Sequence, residues 1–278
     1  MVRPRRREPI LSERLLSNVK SKYSENGWLV SEQRIDPGLL AQLSASVARI
    51  SEVSRPETVR ERDGVTVRAL HGCHRYDETC ARLVRLPELV DLAETLIDDQ
   101  VYVYQFKINI KNPLEGKEWP WHQDFAFWSV EDGMPASGGA VNIAINCDVV
   151  HEGNGPLTVL SGTHRLGLLP ESESEAPAFK GRAWQEHVSA ELPHAVSDRA
   201  VEALLTEYPV ERLTGPAGTI TAFHPSIVHS SSNNYSNDRR AVLYITYNSV
   251  HNVPRHAYRP AFLVDPDSTP ITRLVGPL

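Results

Sequence analysis

The change of hydrophobic period at residue 101 constrains the fold of this chain more than any other feature. Over residues 101–111 apolar and polar side chains alternate, with Tyr102, Tyr104, Phe106, Ile108 and Ile110 on one face and Gln105, Lys107, Asn109 and Lys111 on the other, the period of two of a half-buried strand. More strand-like runs follow at 140–150, 157–160, 218–223 and 240–248, separated by turns rich in Gly, Pro, Asn and Ser. Before residue 101 the period is helical. Residues 15–60 read as helix, with Asp36 as an N-cap, Pro37 in the first helical position and Leu39, Leu40, Leu43, Val47 and Ile50 at helical spacing. A second helical stretch, 77–97, carries Leu83, Leu86, Leu89, Leu92 and Leu96 and is broken by Pro87. Helices followed by many short strands predict a mainly β sandwich or barrel with a helical layer over one sheet face. The polar stretch 170–213, with Glu171, Glu173, Glu175 and Pro177, interrupts the strands as a lid or an exposed excursion. We expect a basic tail over 1–12 and a single domain over 13–278, helical over 13–100 with its β core at 101–250.

Charge and composition remove several classes of function. With 29 Lys and Arg against 35 Asp and Glu, the net charge of -6 argues against a broad basic surface for nucleic acid. Arg3, Arg5, Arg6 and Arg7 are expected to form a disordered basic tail and not a leader, because Glu8, Ser12, Glu13 and Arg14 interrupt any apolar run. The apolar segment 140–150 contains Asn and Asp and falls short of the roughly 20 residues that cross a bilayer. A soluble, cytoplasmic protein is expected, with no nucleic acid and no membrane among its partners. Cys73, Cys80 and Cys147 have no CxxC spacing and are expected to be reduced thiols.

The chemistry concentrates in Trp119-Pro-Trp-His122-Gln-Asp124-Phe-Ala-Phe-Trp128. An imidazole and a carboxylate two residues apart project from the same face of an extended strand. About a hundred residues later His229 follows another strand, and two His with one carboxylate make the facial triad of non-haem iron(II) oxygenases, which leaves positions open for a keto acid and dioxygen. The same three ligands could hold Mn(II), Co(II) or Zn(II), and zinc would suit a hydrolase. Arg240 opens the last long strand and shares its face with Val242, Tyr244 and Thr246, while Arg239 points the other way. A guanidinium there can grip a distal carboxylate with two parallel hydrogen bonds, a use that a zinc hydrolase does not have.

These motifs resemble the phytanoyl-CoA dioxygenase superfamily, in the branch containing ectoine hydroxylase and bacterial trans-4-proline hydroxylase. The resemblance runs through Thr66-Val-Arg-Ala-Leu-His-Gly-Cys-His74, the 101–109 strand, Trp119-Pro-Trp-His-Gln-Asp124 and Glu131-Asp-Gly-Met134. It continues through Asn154-Gly-Pro-Leu157, Ser161-Gly-Thr-His164, Thr214-Gly-Pro-Ala-Gly218, Val228-His-Ser-Ser-Ser-Asn233 and Tyr247-Asn248. It implies a double-stranded β-helix, or jelly roll, with Fe(II), 2-oxoglutarate and O2 as cofactors. His122, Asp124 and His229 would be the iron ligands. Arg240, Lys111 and Ser231 would hold 2-oxoglutarate, and Gln105, Arg68 and Trp128 would meet substrate.

The departures from the pattern are local. His229-Ser230-Ser231 stands where the relatives carry His-Gly-Ser, and Tyr104 replaces a common histidine. His224 is set aside as a ligand because the relatives often carry other residues there. His71, His74 and His164 lie in shared motifs and are read as hydrogen-bonding or substrate-contact residues. The related halogenases lack the carboxylate that Asp124 supplies, which favours hydroxylation. The substrate expected is a small amino acid, a proline-like imino acid above others. A peptide or carrier-tethered amino acid of a natural-product pathway is the alternative, and a non-catalytic jelly-roll binding protein the third class.

Overall fold

A computed structural model of the chain describes residues 13–61, 63–169, 192, 194–256 and 258–275. The basic tail and the acidic part of the 170–213 stretch lie outside these residues. In chain order the elements are α1 (Glu13–Asn26), β1 (Trp28–Arg34), α2 (Pro37–Ser51), β2 (Thr58–Arg60), β3 (Val67–His71), α3 (Glu78–Leu83), α4 (Pro87–Ile97), β4 (Val101–Lys111) and β5 (Trp119–His122). They continue with α5 (Asp124–Glu131), β6 (Ala140–Asn146), β7 (Leu157–Leu160), α6 (Asp198–Glu207), β8 (Val210–Leu213), β9 (Thr219–Phe223), β10 (His229–Ser231) and β11 (Arg240–Ser249). The Asp36 carboxylate accepts from the N–H groups of Gly38 and Leu39 at the start of α2, and Pro87 opens α4 at the predicted break.

The strands form two antiparallel sheets. One has seven strands in the order β1-β9-β6-β11-β4-β3-β2, and the other has four in the order β5-β10-β7-β8. Ala144, Val242 and Tyr244 of the large sheet meet Leu157, Val159 and Leu213 of the small one in an apolar layer between them. The outer face of the large sheet, with Val141, Ile143, Ile145, Ala241, Leu243, Ile245 and Tyr247, is covered by Leu39, Leu43 and Val47 of α2 and by Leu89, Val90 and Ala93 of α4. Val201 and Leu204 of α6 cover the outer side of the small sheet against Leu160 and Val228. This is the jelly roll with a helical layer that the sequence predicts.

Two details correct the sequence reading. Residues 15–60 are not continuously helical. Gly27 adopts φ +77 and stops α1, and a Cβ at that position would come within 2.4 Å of the His164 ring. Trp28, Leu29 and Val30 then pair with Phe223, Ala222 and Thr221 of β9, so the N-terminal hundred residues contribute three strands to the large sheet. Such an edge strand, with Leu29 buried and Val30 exposed, is too short to outweigh the helical pattern around it. The second correction concerns β4. Its pairing passes from Gln105 opposite Thr246 to Val103 opposite Tyr247, and the extra residue, Tyr104, is a bulge that shifts the alternation. Phe106, Ile108 and Ile110 therefore face the helices with Val101 and Val103. Tyr102 and Tyr104 instead pack on Trp128 and Leu263.

Candidate metal centre and substrate cavity

The two sheets bring the predicted ligands together by register. His122 at the end of β5 lies directly opposite His229 at the start of β10, and their ring centroids are 4.0 Å apart. Asp124 is not on a strand. Gln123 is extended and Asp124 opens α5, which still turns both side chains to one side. His122 Nε2 stands 3.8 Å from Asp124 Oδ1 and His229 Nε2 3.8 Å from Asp124 Oδ2. One candidate ligand atom from each of the three residues lies within 4.8 Å of the others, and among the described residues no other group of three such side chains does.

Hydrogen bonds behind the triad fix its protonation. His122 Nδ1 donates to the Pro120 carbonyl at 2.7 Å and His229 Nδ1 to the Ile227 carbonyl at 3.0 Å, so each Nε2 is left as a lone-pair donor for a metal. Burial pushes the His122 pKa down to about 3, with His229 adding to the effect, and burial lowers His229 as well. Both imidazoles are neutral, as metal ligands must be. For Asp124 burial acts upward, but the charge of Lys107, the neighbouring His229 and His122 rings and a hydrogen bond from Asn142 outweigh it and hold the carboxylate below its usual range. Asn142 Nδ2 donates to Asp124 Oδ2 at 2.8 Å and is oriented by Thr246, whose hydroxyl donates to Asn142 Oδ1 at 2.7 Å. Gln123, between the two ligands, donates to the Gly167 and Ser226 carbonyls and accepts from the Leu169 N–H. The turn that carries the His-x-Asp pair is thus braced from both sides.

Beyond the triad lies a cationic end. Arg240 stands opposite Lys111 across β11 and β4, and it is only 1 % exposed. Its Nη2 reaches the Tyr244 hydroxyl at 3.5 Å, while Nε and Nη1 have no partner. Lys111 Nζ donates to Ser231 Oγ at 2.8 Å and to the Ser232 carbonyl. Burial, then the charges of Arg240 and Arg68, bring its pKa down to about 6. Gly155, with φ +78, packs beside it, and a Cβ at that glycine would meet the Ser232 carbonyl oxygen at 2.6 Å. A buried guanidinium with two unused donors is costly alone. A carboxylate that accepts from the guanidinium there relieves that cost, and this is how the residues present fit 2-oxoglutarate. Arg239, next in the chain, is occupied outside the sheet by a bidentate pair with Asp148.

A cavity of about 100 Å³ opens on the triad, lined by side chains of both sheets. Gln105 and Trp128 line it, as does Ser231. Arg68 does not line it. Its guanidinium bonds Glu61 and the Glu118 carbonyl and stacks 4.1 Å from the Trp119 ring, so its effect on the cavity passes through Trp119. His224 stands outside the triad, against His164 and Tyr23. His74 is paired with Asp265.

Three contributors were not singled out by the sequence reading. Lys107 lies on the polar face of β4, 3.9 Å from Asp124, and its alternation with Gln105 was the available signal. Phe127 reaches the cavity from α5, under the guanidinium of Arg259. Arg259 comes from a C-terminal segment without periodicity, and nothing in the pattern points to it. That segment is held by Asp132, which accepts from Arg259 Nε at 2.9 Å, from Arg259 Nη2 and from the Tyr104 hydroxyl.

Residues 23–242 match the family model described as phytanoyl-CoA dioxygenase (PhyH). The chain belongs to the phytanoyl-CoA dioxygenase family. Within it, the chain is 52% identical over 256 residues to L-proline trans-4-hydroxylase of Streptomyces griseoviridis, covering 92% of this chain and 95% of that one. It is 30% identical over 260 residues to ectoine dioxygenase of Bordetella parapertussis, covering 90% and 81%. Among solved structures, EctD from S. alaskensis with 2-oxoglutarate and 5-hydroxyectoine superposes with a TM-score of 0.78 at 25% identity, covering 96% of this chain and 88% of that one.

Proposed function

We propose that this member of the phytanoyl-CoA dioxygenase family is an iron(II)- and 2-oxoglutarate-dependent dioxygenase that hydroxylates an unactivated C–H bond of a small amino acid, a proline-like imino acid foremost. The observation that carries the reading is the pairing, in one jelly roll, of a His-Asp-His cluster with a buried arginine whose guanidinium has two unused donors. His122, Asp124 and His229 would hold the iron, and Arg240, with Lys111 and Ser231, would hold the far carboxylate of 2-oxoglutarate. Iron bound there supplies, with 2-oxoglutarate and dioxygen, the conversion of C–H to C–OH with release of succinate and carbon dioxide.

The protein's own part is to place one carbon and to keep water out. Phe127, Trp128, Leu157, Phe223 and Leu263 give the cavity apolar walls, and Trp128 is fixed edge-on against Tyr104 at 5.2 Å. Gln105 adds a polar group on the same side as Lys107 and can orient the substrate, while Arg68 supports the Trp119 wall. Likeness to the proline hydroxylase makes C4 of proline the first position to examine. Among the described residues no helix is long and apolar enough to cross a membrane, and we keep the cytoplasm, where 2-oxoglutarate is made and used, as the place of action.

The test is incubation of the iron-loaded enzyme with 2-oxoglutarate, air and a panel of free amino acids. L-Proline should gain one oxygen by mass, with succinate formed in equal amount. If no amino acid gains an oxygen, the substrate class is wrong.

A further inference from the structure

We infer that His71 is a specificity-determining residue of this reaction, its Nε2 placed to hydrogen-bond the carboxylate of the amino-acid substrate. The inference rests on the amino-acid reading above. His71 ends β3, paired with Lys107 of β4. It lines the same cavity as the triad and is 5 % exposed. Its Nε2 is buried without a hydrogen-bond partner. An unpaired polar atom in such a place is costly unless a bound molecule meets it. Burial, then the charges of Lys107 and Arg259, push the His71 pKa down to about 3. The ring is therefore neutral and can present one N–H.

The surroundings decide which substrate group it meets. Among the described residues lining the cavity, Asp124 is the only carboxylate, and it belongs to the metal centre. The cations Lys107 and Arg259 line it too. Asp132, behind the wall, has its oxygens taken by Arg259 and Tyr104. Apart from the amides of Gln105 and Asn109 the side chains there are donors or apolar, and no free carboxylate faces His71, an environment that suits an anion better than an ammonium group. An α-carboxylate seated there takes the His71 N–H with Lys107 as the cation beside it, Arg259 being already paired with Asp132.

The experiment compares L-proline with L-prolinamide, in which the carboxylate is replaced by a neutral amide, as substrates of the iron-loaded enzyme and of three variants. The wild type should prefer proline in kcat/KM. His71→Leu should shrink that preference about tenfold or more, the size of a lost hydrogen bond to a charged group, through a higher KM for proline with the KM for 2-oxoglutarate unchanged. His71→Gln, whose amide nitrogen can occupy the position of Nε2, should keep most of the preference. His71→Asn, equally polar but shorter, should lose it, and this pair decides the matter even if the leucine variant does not fold. Variants that all keep the wild-type ratio would overturn the inference while leaving the amino-acid reading intact. A wild type that oxidises no amino acid would overturn both.

Discussion

His229→Ala is expected to lower hydroxylation by more than about 100-fold and to abolish tight Fe(II) binding, with Asp124→Ala behaving alike. The scale follows from the ranking of ligands over their supports. Groups that orient metal ligands typically cost about 10–100-fold in metal affinity or activity when removed, and a ligand itself must cost more. Asn142→Ala supplies the internal comparison. It leaves all three ligands in place but removes the amide that donates to Asp124 Oδ2 at 2.8 Å, so its loss should fall within that smaller range. Metal titration followed by product formation measures both. An alanine at 229 that retains a tenth of the activity, or an Asn142 variant as inactive as the ligand variants, would contradict the assignment.

Asp132→Ala is expected to destabilise the fold by about 3–5 kcal/mol, the usual effect of leaving one partner of a buried ion pair alone. Asp132 is 0 % exposed, and it accepts from two nitrogens of Arg259 and from Tyr104. Removing it strands a guanidinium over the Phe127 ring with the Tyr104 hydroxyl beside it. The double variant Asp132→Ala with Arg259→Met should recover part of the loss, because the stranded charge goes with it. Urea unfolding of the three proteins measures this. A single variant within about 1 kcal/mol of the parent, the scale set for exposed pairs, would show that the pair is not carried in a buried environment.

The parts of this molecule legible in its sequence are those built on period and spacing. Alternation in β4 placed Gln105 and Lys111 on the inner face, and the Asp36-Pro37 cap placed α2. The two-residue step from His122 to Asp124 set both side chains to one side, although through a strand-to-helix turn. The edge strand β1 was hidden because a single glycine ends α1 and the strand itself is only seven residues long. The bulge at Tyr104 was hidden because one extra residue reverses the face without altering composition. Arg259 and Asp132 were hidden because their pairing joins segments more than a hundred residues apart, with no periodicity at either end. Arg68 was named from the resemblance, and spacing could not show that its guanidinium is engaged by Glu61 and the Glu118 carbonyl beside Trp119.

The most direct test of the central claim is optical. Fe(II) and 2-oxoglutarate added to the protein without oxygen should give a weak visible charge-transfer band. Arg240→Ala, which removes charge-assisted hydrogen bonds of about 1.5–3 kcal/mol each, should need at least about tenfold more 2-oxoglutarate to reach the same band. A colourless wild-type mixture, with 2-oxoglutarate binding the Arg240 variant as tightly as the parent, would contradict a metal centre at His122, Asp124 and His229 served by a keto acid held at Arg240.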